Sequence, residues 1–147
     1  MNGLSDIYTE LIAEESRNTE NRRHLEHPTH TEKGHNPSCG DEITLELELK
    51  DGIIQDASFT GVGCAISQAS TSLMIGLIKG QPAEKARELA DLFIRMIKGE
   101  VKDEAELEIL EDAATLKNIS RMPARVKCAV LSWHTLDTIL QKEQNEV

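Results

Sequence analysis

The sequence is poor in aromatic residues and in basic residues. Aromatic side chains make up 3% of its 147 residues, and 16 Lys and Arg stand against 26 Asp and Glu, for a formal net charge of −10. Nucleic-acid binding depends on clustered cations that release counterions and on aromatic rings that stack on bases. We therefore expect neither a nucleic-acid partner nor an anionic membrane surface, and we interpret the acidic excess as a source of solubility or as a docking surface for a basic partner.

Long apolar runs are absent as well. No segment approaches the roughly 18 consecutive apolar residues of a membrane span, and the first residues lack the charged and then apolar pattern of a signal peptide. We expect one cytoplasmic domain over residues 1–147, with no membrane partner. Its three cysteines cannot all pair in disulfides, and in a reducing compartment thiols more often serve as ligands or nucleophiles.

Apolar periodicity predicts an α+β fold. The alternation over 43–49 indicates a strand with one face in water, which turns at 50–52 and returns as a second, antiparallel strand over 53–60. Helical spacing predicts helices over about 6–15, 65–79, 82–98 and 123–141. Residues 17–34 are almost wholly polar, so we expect a mobile segment at about 17–35. The expected architecture is a small antiparallel sheet packed on one face by helices.

An acidic stretch over 101–118 is predicted to form a short helix with a loop. Its apolar anchors are expected to be Leu107, Ile109, Leu110 and Leu116.

All three cysteines fall at the boundaries of predicted elements. Cys39 lies in a turn before the first strand, Cys64 lies between the second strand and a helix, and Cys128 lies in the first turns of the last helix. The positive end of a helix dipole lowers the pKa of a thiol and improves it as a ligand or nucleophile. The residues Gly61 and Gly63 are expected to let the chain turn tightly at Cys64.

A metal centre is one explanation of this pattern. The loops that carry Cys39 and Cys64 lie at the same end of the predicted hairpin, and Asp41 adds a carboxylate beside Cys39. Three thiolates and one carboxylate suit tetrahedral Zn²⁺. The spacing alone leaves open the alternative of three scattered, partly buried cysteines. The four histidines at 24, 27, 30 and 35 have no compact ligand spacing, so we do not expect a second metal site there.

Three blocks of sequence carry a resemblance to a known family. Residues 36–41 (NPSCGD), 59–70 (FTGVGCAISQAS) and 123–133 (PARVKCAVLSW) closely resemble the signature blocks of the SufU/IscU-like (NifU N-terminal) iron–sulfur cluster assembly family, in the same order and spacing. The acidic segment 101–121 and Lys127, which stands where the scaffold branch has a histidine, are similar to the SufU branch.

The resemblance implies a SufE/NifU-like fold and one Zn²⁺ held by Cys39, Asp41, Cys64 and Cys128. It also implies a sulfurtransferase, in which Cys39 accepts persulfide sulfur from a SufS-type cysteine desulfurase for a downstream iron–sulfur scaffold. Two alternatives stay open: the chain is itself the scaffold that holds a nascent Fe–S cluster on the same ligands, or it is a zinc-stabilised adaptor. Arg125 is expected to orient Asp41 or the incoming sulfur, or else to be an exposed helix residue.

Overall fold

The computed structural model describes residues 3–38, 40–101 and 103–145, and it confirms the α+β fold class. In chain order the elements are α1 (Gly3–Arg17), β1 (His30–Asn36), β2 (Asp41–Lys50), β3 (Ile53–Val62), α2 (Ala65–Ile78), α3 (Ala83–Ile97), α4 (Glu104–Leu107) and α5 (Pro123–Asn145), with 3₁₀ turns over Glu108–Arg121. Within the described ranges, no helix combines the length and apolar character needed to cross a bilayer.

One face of the sheet is covered by helices. The strand order is β1-β2-β3, and both pairs are antiparallel. The predicted alternation in β2 is confirmed, because Ile43, Leu45 and Leu47 are fully buried. Helices α2 and α5 contact this sheet, α1 packs on α2, and α3 packs on α5.

The helices behind the sheet are joined by an aromatic contact and a hydrogen-bond chain. Phe93 of α3 stacks on Trp133 of α5 with the ring centroids 4.0 Å apart. Trp133 Nε1 donates to Ser70 Oγ in α2 at 2.9 Å, and Ser70 Oγ donates to the backbone oxygen of Ala129 at 2.6 Å. Because all three groups are buried, these contacts fix the position of α5 against α2.

Strand β1 is a regular element that the sequence patterns did not predict. His30–Asn36 pairs with β2 along its whole length, although its sequence is polar. The reason is that β1 is an edge strand whose buried positions are Gly34 and Asn36, so no apolar alternation is required. An added Cβ on Gly34 would collide with the side chain of Thr135 in α5, which shows how closely the helix approaches the strand.

Residues 18–29, here called the strap, cross the sheet face opposite the helices. The strap begins beside β3 and ends where β1 starts, and Leu25 within it is buried. Mobility of the strap stays a prediction. Its contacts with the sheet include the following pairs: the Asn21 backbone oxygen with Phe59 N–H at 2.9 Å, Arg23 with Asp56 at 2.8 Å, His24 with Glu46 at 2.8 Å, and Thr29 N–H with the Leu47 backbone oxygen at 2.8 Å.

The acidic segment is more regular than the predicted short helix with a loop. Helix α4 is followed by two 3₁₀ stretches that meet at Glu111, where φ is 51° and ψ is −130°. Leu107, Leu110 and Leu116 are buried as predicted, whereas Ile109 is 45% exposed and is therefore not an anchor. Ala113 and Ile119 supply the remaining buried positions of the 3₁₀ turns.

Candidate metal centre

Asp41, Cys64 and Cys128 meet at one end of the sheet. Asp41 is the first residue of β2, Cys64 follows β3, and Cys128 lies early in α5. Since β2 starts where β3 ends, with Glu42 opposite Val62, Asp41 and Cys64 face each other across the hairpin. The candidate ligand atoms of the three residues lie within 4.8 Å of one another.

The N-terminus of α2 orders the first two of these residues. Cys64 is the N-cap, and its sulfur accepts a hydrogen bond from Ser67 N–H at 3.5 Å. The Cys64 N–H donates to Asp41 Oδ1 at 2.9 Å, while Asp41 Oδ2 lies 3.9 Å from Cys64 Sγ. The helix dipole favours negative charge on both groups, so this arrangement suits a thiolate beside a carboxylate.

The side chains of Asp41, Cys64 and Cys128 are suitable ligands for a metal cation. Asp41 is fully buried, Cys128 is 4% exposed, and Cys64 is half-buried. Three anionic groups this close together repel one another unless a cation lies among them. Sulfur and carboxylate ligands suit Zn²⁺, and thiolates suit an Fe–S cluster as well.

Gly63 provides the close approach that the centre needs. A Cβ on Gly63 would lie 2.9 Å from Asp41 Oδ1 and 2.9 Å from Ser67 Oγ. Gly61 adopts φ 126°, and a Cβ there would collide with the backbone of Glu42. Both observations agree with the expectation that these glycines allow the tight turn before Cys64.

Cys39 lies outside the described residues. Among the described residues on either side of it, Asn36 pairs with Asp41 in the register of β1 and β2. Gly40 N–H donates to the Asn36 backbone oxygen at 3.0 Å. The assignment of Cys39 as a ligand and as the sulfur acceptor stays a prediction.

Arg125 does not contact Asp41. Its side chain is exposed and forms no hydrogen bond or ion pair with any residue in the described part of the chain. It lies at the edge of a groove of about 520 Å³ between α1, α2 and α5, together with Ile12, Ile66 and Met122. This geometry gives Arg125 no contact that would orient Asp41, and its role toward the incoming sulfur stays a prediction.

The histidines do not form a second cluster. His24 is paired with Glu46, and His30 lies 3.4 Å from Glu143. Among the described residues, Asp41, Cys64 and Cys128 are the one group with metal-ligand geometry. Ser67 was not among the predicted site residues, and the signal for it is its place three residues after an N-cap that is itself a candidate ligand.

The fold and the site together define a small α+β protein in which one aspartate and two cysteines converge at one end of the sheet. The chain belongs to the family of the NifU-like N-terminal domain, whose model matches residues 7–129. This confirms the resemblance noted from the three sequence blocks.

Relatives of known name agree with this family. The chain is 42% identical over 136 residues to the iron–sulfur cluster assembly scaffold protein IscU of Thermotoga maritima, covering 92% of this chain and 94% of that one. It is 37% identical over 141 residues to the zinc-dependent sulfurtransferase SufU of Bacillus subtilis, covering 96% and 94%. A crystal structure from Fervidobacterium islandicum AW-1, described as an assembly scaffold for the SUF system, superposes with a TM-score of 0.81 at 38% identity, covering 94% of this chain and 99% of that one.

Proposed function

We propose that the chain acts in iron–sulfur cluster biogenesis as a zinc-dependent sulfurtransferase. It takes sulfur from a SufS-type cysteine desulfurase and passes it to a downstream iron–sulfur scaffold, in the reducing cytoplasm where thiols stay unpaired. The observation that carries the proposal is the convergence of Asp41, Cys64 and Cys128 within 4.8 Å. The likeness to the zinc-dependent sulfurtransferase SufU over 96% of the chain supports it.

Cys39, Asp41, Cys64 and Cys128 would hold the zinc ion. Zinc supplies positive charge that keeps coordinated thiols deprotonated. Cys64 and Cys128 belong to helix termini that are packed together, which suits permanent ligands. Cys39 is followed by Gly40, which adopts φ 73°, and the sequence predicts a turn there. That difference suits an acceptor that leaves the centre when the desulfurase docks.

The proposed transfer exchanges one S–S bond for another. The Cys39 thiolate attacks the terminal sulfur of the persulfide on the desulfurase, and a new S–S bond forms on Cys39. The original S–S bond breaks, and its electron pair leaves on the cysteine of the desulfurase. Because the sulfur moves with no net gain or loss of electrons, no further oxidant or reductant is needed. Arg125 stays a candidate contact for the incoming sulfur, since its guanidinium is exposed.

The test is to incubate the zinc-loaded protein with the desulfurase and L-cysteine and to map the modified residue by mass spectrometry. We expect a gain of one sulfur on Cys39 and a rise in the rate of alanine formation. Cys39→Ala should abolish both effects and still bind zinc, more weakly. Full activity of Cys39→Ala would refute the proposal. Cys64→Ser serves as the control that loses a ligand without losing the acceptor.

A scaffold function is the second candidate. It is favoured by the 42% identity to the assembly scaffold IscU, because thiolate ligands that hold zinc also hold Fe–S clusters. This function predicts a visible cluster chromophore after anaerobic reconstitution that survives gel filtration. Stoichiometric zinc, with no cluster retained, would count against it.

A further inference from the structure

Ser67 carries a buried hydroxyl with no hydrogen-bond partner among the described residues. The residue is 1% exposed, and its Oγ is shielded from solvent. The other hydroxyls of α2 are all paired: Ser70 Oγ donates to the Ala129 backbone oxygen, Thr71 Oγ1 to the Ser67 backbone oxygen, and Ser72 Oγ to Glu15. Ser67 thus differs from its neighbours in holding an unused donor, which buried polar groups rarely do.

This donor lies beside the candidate metal centre. Ser67 N–H contacts Cys64 Sγ, and Ser67 Oγ and Asp41 Oδ1 lie equally close to the point where a Cβ of Gly63 would stand. The two oxygens therefore flank Gly63. Asp41 Oδ1 already accepts from Cys64 N–H, whereas Oδ2 is the oxygen near the Cys64 sulfur. The carboxylate directs one oxygen toward the thiols and the other toward the start of α2.

We propose that Ser67 is a positioning residue for Asp41. In the zinc-bound centre its hydroxyl would donate to Oδ1 a hydrogen bond that the described structure does not contain, and Oδ2 would be left as the zinc ligand. This inference rests on the metal centre of the proposed function. Donors that hold the free oxygen of a ligating carboxylate fix its orientation and raise metal affinity. A one-oxygen contact keeps the tetrahedral geometry that four protein ligands give to zinc, which a two-oxygen contact would distort.

The test compares Ser67→Ala with Ser58→Ala in the full chain. Ser58 is a matched control because it is fully buried, its Oγ also lacks a partner among the described residues, and it lies in β3, outside the centre. Three quantities are measured for each variant: zinc affinity by competition with a chromophoric chelator, the visible spectrum of the Co²⁺ form, and the Tm of the metal-free protein.

We expect Ser67→Ala to lower zinc affinity about 10-fold or more and to change the Co²⁺ spectrum, because the coordination of Asp41 changes. The metal-free Tm should stay equal or rise, as in Ser58→Ala, since both variants remove an unpaired buried hydroxyl. Ser58→Ala should keep wild-type zinc affinity.

Wild-type affinity and an unchanged Co²⁺ spectrum in Ser67→Ala would overturn this inference and leave the proposed function standing. Loss of affinity that merely follows a lower metal-free Tm would overturn it as well, because it would indicate a packing role. If the wild-type protein binds no zinc, the proposed function itself fails, so the two failures are distinct.

Discussion

Gly63 is a residue at which the backbone passes close to the candidate ligand Asp41. A methyl group there would lie 2.9 Å from Asp41 Oδ1, so the carboxylate would have to shift. We expect Gly63→Ala to lower zinc affinity about 10-fold or more while the fold is kept. Chelator competition measures the affinity, and circular dichroism checks the fold.

The control for this variant is Gly76→Ala, since Gly76 has open space around the position of a Cβ. That variant should bind zinc like the wild type. Equal affinity in Gly63→Ala and Gly76→Ala would show that the close approach at Gly63 does not matter for the metal.

The candidate site was predictable from the sequence only in part. Asp41 and Cys64 could be placed together because a hairpin brings the start of one strand beside the end of the next. Cys128 was a candidate ligand by its chemistry, but its place beside the other two residues was implied only by the resemblance, since periodicity does not tell where α5 crosses the sheet. Ser67 was missed because a serine in the first turn of a helix ordinarily indicates nothing more than a helix start.

At the scale of elements, the packing of α5 on β1 depends on Gly34. A Cβ at this position would collide with Thr135 Oγ1 and lie 3.2 Å from Leu131 Cδ1. We expect Gly34→Ala to lower the free energy of unfolding by about 1–3 kcal/mol, as overpacking does. Gly76→Ala adds the same methyl on an exposed helix position and should raise that free energy by about 0.5–1 kcal/mol. Urea denaturation measures both, and a neutral or stabilising Gly34→Ala would contradict the packing argument.

Strand β1 also shows where sequence patterns stop being informative. Period-two alternation reports burial of one face, and β2 displays it because three of its side chains fill the core. The buried positions of β1 are Gly34 and Asn36, so the strand is specified by hydrogen bonds to β2 and by the helix above it. Neither the hydrogen bonding to β2 nor the packing against α5 leaves a pattern in the local sequence of β1.

The ion pair between Arg23 and Asp56 connects the strap to β3, and its strength depends on pH. Partial burial raises the pKa of Asp56, but hydrogen bonds from Arg23 and the Ala57 N–H and the charge of Lys79 outweigh it, so the pKa lies below its usual value. A carboxylate with a lowered pKa stabilises the folded state above the pKa of the unfolded chain, near 4. That stabilisation is lost as the pH falls through the folded pKa.

We therefore expect Asp56→Asn to destabilise the protein at pH 7 by about 0.5–1 kcal/mol, a range reduced for solvent screening. The difference from the wild type should shrink as the pH falls below about 4 and on through the lower pKa of the folded state, because wild-type Asp56 then becomes neutral like the asparagine. Urea denaturation across this pH range measures it. Asp91→Asn is the control, since its partner Arg95 lies on the same helix and touches no part of the strap. A difference that stays constant down to acid pH would contradict the role of the ion pair.

At the scale of the whole molecule, the chain carries a net charge of −10, and only some of the carboxylates in the described ranges lie beside a cationic side chain. In the acidic segment, Glu104 lies 2.9 Å from Lys117 and Glu106 lies 3.7 Å from Arg95. Glu108 and Glu111 are exposed and form no ion pair in the described part of the chain. Glu104 and Glu106 therefore form ion pairs within the chain. Glu108 and Glu111 are the residues of this segment that a basic partner could contact.

If the proposed desulfurase docks on this segment, Glu108→Gln combined with Glu111→Gln should raise the half-saturating concentration in the desulfurase activation assay several-fold at low salt. The ratio to wild type should fall as salt is added, because exposed charges are screened. Glu104→Gln with Glu106→Gln is the matched control: it removes the same charge from the same segment but from carboxylates that already have partners. Its effect on half-saturation should be smaller. Equal effects of the two double variants would mean that net charge alone steers association. If neither double variant changed half-saturation, the acidic segment would contribute to solubility and not to docking.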